Sequence, residues 1–102
     1  MRIITEPRIR EYAKLHPLAG SSLIRWREII KAADWKSFQD LKKAWKSADV
    51  VKVNSGRTVV VFNIGGNNFR LIVAVHYDRQ KVFILGFYPH QEYSKDDWRG
   101  QL

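Results

Sequence analysis

The clearest pattern along the chain is a pair of apolar runs at residues 58 to 77, TVVVFNIGGNNFRLIVAVHY. Thr58–Asn63 and Phe69–Tyr77 are rich in β-branched and aromatic residues. Between them lie Ile64, Gly65, Gly66, Asn67 and Asn68. Gly and Asn reach positive φ at little cost, so the stretch predicts a hairpin. Strand alternation puts Phe69, Leu71, Val73, Val75 and Tyr77 on one face, and Arg70, Ile72, Ala74 and His76 on the other. The first set predicts the core. The second is expected to face a partly open side, because it carries Arg70 and an unpartnered charge is costly to bury.

The remaining chain reads as support for this hairpin. MRIIT at the start predicts a short strand, with Thr5 as N-cap and Pro7 in the first turn of a helix from Glu6 to about Leu15. Ile9, Tyr12 and Ala13 share a face of that helix, and His16-Pro17 ends it. A second helix runs from Leu18 or Ala19 to Ala33, with Leu23, Trp26 and Ile30 as its buried stripe and Arg25, Arg27 and Lys31 solvated. Ser37 opens SFQD, a loose capping box before a short helix with Phe38, Leu41 and Trp45 on one side. Val50–Val53 is a brief strand with Lys52 opposite Val51 and Val53, and Asn54–Arg57 a turn. Lys81–Tyr88 is the last strand, stopped by Pro89. His90–Trp98 forms a polar helical segment, after which Gly100 and its neighbours are expected to fray. Helices first and strands later predict an α+β fold: one domain over 1–102, with an N-terminal strand and two to three helices packed on one face of a mostly antiparallel sheet, and a short C-terminal helical segment.

Composition narrows the function classes. The 102 residues include no cysteine, which removes a disulfide framework and a thiolate nucleophile or metal site and fits a cytoplasmic protein. MRIITEPRIR has no apolar h-region, so no signal peptide is expected, and no run is long enough for a membrane span. The formal net charge is +8, a field that draws polyanions. Residues 1–52 hold 12 Lys and Arg against 6 Asp and Glu, while residues 53–102 hold 6 against 4. The positive surface therefore belongs mainly to the helical half.

Several residues are candidates for chemistry. Arg70 is a fixed cation able to take a phosphate bidentately; the plainer alternative is an ion pair with Asp78 or Glu92. His90 and Tyr93 are three apart at a helix start, and histidine gives or takes a proton near neutrality, while Tyr93 adds a hydroxyl and a ring. Helix capping and packing on the sheet edge are their structural alternatives. Lys95 and Lys52 are weaker sources of positive charge. Lys36, Lys42, Lys43 and Lys46 surround the short helix, and with Arg57 and Asn67 form the candidate nucleic-acid contacts, against the alternative of a solvated face. His16, His76 and His90 show no metal-ligand spacing, so neither a metal nor another cofactor is expected. Gly65-Gly66-Asn67 lacks the GK[ST] of a P-loop.

At FNIGGNNFRL (62–71) and HQEY (90–93) the chain resembles the HigB toxins of bacterial type II toxin–antitoxin modules, in the RelE-like superfamily. The likeness covers most of the chain, including the early helices and Lys-rich middle. It implies a RelE-like fold and a metal-independent endoribonuclease that cleaves mRNA on the translating ribosome. Cleavage would use the 2′-OH as nucleophile, with Arg70 stabilising the phosphate and His90 and Tyr93 in proton transfer or positioning. It also implies a HigA-like helix-turn-helix antitoxin, operator DNA contacted only through the antitoxin complex, and no membrane partner. Tyr88-Pro89 stands before His90 where a small residue is the family habit. The competing readings are a non-catalytic RNA- or DNA-binding module and a protein whose basic face meets only an acidic partner.

Overall fold

In a computed structural model that describes residues 1–102, the elements follow the order β1 (Arg2–Ile4), α1 (Pro7–Leu15), a 3-10 turn (Pro17–Ala19), α2 (Gly20–Ala32), α3 (Phe38–Ala44), β2 (Asp49–Lys52), β3 (Thr58–Ile64), β4 (Phe69–His76), β5 (Lys81–Pro89), α4 (His90–Ser94) and a closing 3-10 turn (Asp97–Gly100). The sheet runs β1-β5-β4-β3-β2. Only β1 and β5 are parallel; the other three pairings are antiparallel. The architecture is the expected α+β one. No helix is long and apolar enough to cross a membrane.

Alternation sorts the sheet into two faces as expected. Val60, Phe62, Ile64, Phe69, Leu71, Val73, Val82, Ile84 and Phe87 join the helix side, where Leu23, Trp26, Ile30 and Leu41 cover them. Tyr12 of α1 stacks on Phe87, which stacks on Phe69, with ring centroids 5.0 and 5.2 Å apart. His16 tilts against both phenylalanines, so this helix-end residue is packed. Ser37 caps α3 by accepting from the Asp40 N–H, and the Asp40 carboxylate reaches back to the Lys36 N–H.

Four features depart from the expectations. Thr5 does not cap α1: it sits at φ 64, a left-handed corner, and Glu6 precedes the helix without a side-chain cap. The second helix begins later than expected, at Gly20, after a 3-10 turn over Pro17–Ala19 that follows the break Pro17 makes with α1. A β-bulge at Leu85 breaks the alternation of β5: Ile72 pairs with Gly86 and Val73 with Ile84. One extra residue reverses facing, so Phe87 enters the core and Tyr88 joins the face of Arg70. The Tyr88 ring then lies over Gly86, where a Cβ would come within 2.8 Å of it. Lastly, the tail is seated. Trp98, 2% exposed, packs with Val53, Val59, Val61 and Ile72 on the face away from the helices, and Leu102 leans on the same cluster. The expected fraying failed because an indole offers more apolar area than the surrounding polar residues can keep in water.

Candidate functional site

The hairpin turn assembles the site. Gly65 and Gly66 take φ +62 and +69, which turns the chain tightly. The Asn67 carbonyl accepts from Arg70 Nη1 at 3.1 Å, as does the Phe69 carbonyl at 3.1 Å. The Asn67 Oδ1 accepts from Nη2 at 2.6 Å. The Asn68 carbonyl accepts from the His90 backbone N–H at 2.8 Å, which pins the start of α4 to the same turn. Cross-strand pairing places Tyr88 opposite Arg70 on one side and Asn63 opposite it on the other.

Arg70 is not the free-standing cation on an open face that the alternation suggests. It is 8% exposed, the one charged residue in the buried class. The C-terminal segment covers it: its guanidinium carbon lies 5.6 Å from the Tyr93 ring centroid, a cation–π geometry. Nor is it the ion pair of the plainer alternative. None of the five ion pairs includes it, and Asp78 and Glu92 do not hold it. Three of its five N–H donors go to neutral oxygens. Its charge is therefore oriented but uncompensated.

Tyr93 stacks on Trp98 at 5.1 Å, and the Trp98 indole N–H donates to the Tyr93 carbonyl at 3.0 Å. Burial pushes the Tyr93 hydroxyl above its ordinary range, against the pull of Arg99 and Arg70. This phenol keeps its proton at neutral pH and is a donor rather than a base. His90 is exposed at the first position of α4, and its carbonyl accepts from the Ser94 hydroxyl. Lys95 follows Tyr93 by two residues and lies 3.9 Å from Glu92, exposed on both sides of the pair.

The other candidates are spread out. Lys52 is kept apart from Arg70. It pairs with Thr58 while Arg70 pairs with Asn63, five residues along β3 and so about 17 Å. Its side chain also points away from the face where Val51 and Val53 pack. Arg57 lies exposed at the same far end. Asn67, expected to touch nucleic acid, instead grips Arg70 through its side chain. Lys36 pairs with Asp34, and Lys42 donates to the Ala48 carbonyl at 2.6 Å. Lys43 and Lys46 alone of the four face an open cleft of about 490 Å³, together with Arg25, Trp45, Ser22 and Asn63. Arg25 and Tyr88 were not singled out by the sequence. A solvated helix position and a strand end carry no local mark of a site, and only the bulge and the packing of α2 beside α3 reveal them.

Comparison with known proteins adds an independent line. Residues 19–96 match the family model of HigB toxin, described as the RelE-like toxic component of a toxin–antitoxin system. The chain is 29% identical over 94 residues to the mRNA interferase toxin HigB of Escherichia coli (strain K12), covering 92% of this chain and 88% of that protein. A protein named mRNA interferase HigB from Escherichia coli O6:H1 (strain CFT073) is 26% identical over 95 residues, covering 93% and 90%.

Proposed function

Because the chain belongs to the HigB family of RelE-like toxic components of toxin–antitoxin systems, we propose that it is an endoribonuclease that cleaves mRNA on the translating ribosome without a metal, at the end of the sheet where Arg70 lies against Tyr93 and the His90 backbone is bonded to the same turn. The observation that carries this is the uncompensated guanidinium. A buried cation held by carbonyls rather than a carboxylate costs stability. It retains its full positive charge for an incoming phosphate.

The reaction needs three things from the protein. The 2′-OH loses its proton and attacks the adjacent phosphorus; the bond from phosphorus to the 5′-oxygen breaks; that oxygen takes up a proton, leaving a 2′,3′-cyclic phosphate. Arg70 stabilises the charge that builds on the non-bridging oxygens. His90, exposed and pinned to the turn that holds Arg70, moves the proton. Tyr93, protonated, orients the scissile phosphate or donates to the leaving oxygen. Lys95 adds positive charge near this end. Lys52 and Arg57 at the far end, with Lys36 and Lys42, add to the general field that draws RNA.

The partner is an antitoxin, and we assign it to the HigA-like helix-turn-helix type, which would bring operator DNA to the complex. The test is direct. Protein stripped of metal with EDTA and then freed of the chelator is mixed with translating ribosomes and a defined message, and transcript ends are mapped. New ends with 2′,3′-cyclic phosphates are expected. Tight RNA binding with no new ends overturns the enzymatic reading in favour of a binding module.

A further inference from the structure

We infer that the cleft between α2, the end of α3 and the hairpin turn is a second site that binds the phosphodiester backbone of single-stranded RNA and feeds the strand toward Arg70. This rests on the reading that RNA is the substrate, and adds to it a place and a set of residues.

Nine residues line the cleft: three of them, Arg25, Lys43 and Lys46, are cationic and none is acidic. All three are exposed and none is in an ion pair. Elsewhere on the helical half, Arg27 and Lys31 share Glu6 and Lys36 holds Asp34. A concave spot with three unneutralised cations concentrates an anion far better than the same charges on a convex face.

The cleft is also built to hold its shape. The Trp45 indole N–H donates to the Asn63 carbonyl at 3.2 Å, at the part of β3 that extends past its pairing with β2. The Arg25 guanidinium carbon lies 5.7 Å from the Trp45 ring centroid, so stacking pre-orients the planar fork. Lys42 is tied to the Ala48 carbonyl and leaves Lys43 and Lys46 as the free cations of this stretch. Only Ala44 and Trp45 among the lining residues are apolar, so the chemistry suits a phosphate and ribose backbone rather than an apolar ligand.

Its position links it to the reaction centre. Gly66 forms one wall, and the next residue, Asn67, grips Arg70. Asn63, another wall residue, is the cross-strand partner of Arg70. A strand leaving the cleft over the turn therefore arrives beside Arg70 and His90.

The test uses the purified full chain and a single-stranded RNA carrying 2′-O-methyl at every ribose, which cannot be cleaved. Binding is measured by fluorescence anisotropy across a salt series for wild type and for the triple variant Arg25→Gln, Lys43→Gln, Lys46→Gln. Matching circular-dichroism melts serve to check folding. The triple variant is expected to bind at least about 10-fold more weakly, with the slope of log K against log salt reduced by about two. In wild type, the indole N–H resonance of Trp45, identified by its loss in Trp45→Phe, should move on RNA addition; in the triple variant it should not. Wild-type affinity and slope in the triple variant, or a Trp45 resonance unmoved by saturating RNA, would overturn the inference. Failure of the nuclease reading looks different, since wild type would then leave unmodified RNA whole on ribosomes.

Discussion

In the proposed reaction a single guanidinium, that of Arg70, carries opposite demands from stability and from chemistry. Replacing Arg70 with Met removes a buried cation, whose desolvation costs several kcal/mol. It also strands three oxygens, the Asn67 carbonyl and Oδ1 and the Phe69 carbonyl, at about 1–3 kcal/mol each. These terms are of one size and opposite sign. Arg70→Met should therefore melt within a few degrees of wild type while its cleavage rate falls on the order of 100-fold or more. A variant that cuts like wild type removes Arg70 from the mechanism. Asn67→Ala should act through Arg70, lowering the rate of the bound complex about 10-fold with RNA affinity nearly unchanged; a pure affinity loss would return Asn67 to the role of an RNA contact. Tyr77 behaves differently. Its hydroxyl is buried with no partner, and burial raises its pKa from 10.0. Tyr12 and Tyr93 are raised chiefly by burial as well. A raised folded-state pKa contributes stability below the unfolded value that is lost as pH climbs through the folded one. Unfolding titrations should thus show stability dropping above about pH 10, less steeply in Tyr77→Phe. Equal slopes would mean that Tyr77 titrates as freely in the folded chain as in the unfolded one.

Among the elements, the C-terminal segment matters most for the site. Trp98 anchors it by filling a slot among Val53, Val59, Val61 and Ile72, and the Arg99 carbonyl accepts from the Asn54 N–H. Through stacking and its N–H bond, Trp98 also sets Tyr93. Trp98→Ala should cost about 3–5 kcal/mol and weaken cleavage more than Arg99→Ala does. Chemical denaturation and initial rates measure the two effects separately, and an unchanged rate in a folded Trp98→Ala would show that Tyr93 needs no such support. The hairpin was legible beforehand because apolar alternation and Gly/Asn turn chemistry are local. The bulge at Leu85 was marked only by Gly86 beside it, an isolated glycine inside a strand pattern, which does not fix the register. It follows from the burial of Ile84 and Phe87 on the same side, since residues three apart fall on opposite faces of an unbroken strand.

Across the whole molecule, the charge of +8 is distributed unevenly in use as well as in sequence. Several basic residues of the helical half are spent on ion pairs or backbone carbonyls: Arg8 donates to the Ile84 carbonyl at 3.0 Å and Lys42 to that of Ala48. The count of cations therefore overstates the polyanion surface. Of the six residues named in advance as nucleic-acid contacts, Lys43 and Lys46 converge on a cleft, whereas Lys36, Lys42, Arg57 and Asn67 are paired, tied or remote.

The chain by itself determined the α+β order of its elements, the two faces of the central hairpin and the cap at Ser37, because periodicity and turn chemistry act over a few neighbours. Only the tertiary structure decided that Arg70 is buried beneath Tyr93 and left without a carboxylate, that Trp98 ties the tail to the sheet, and that Arg25 stands with Lys43 and Lys46. Those outcomes depend on contacts between segments far apart in sequence, whose geometry no local pattern encodes.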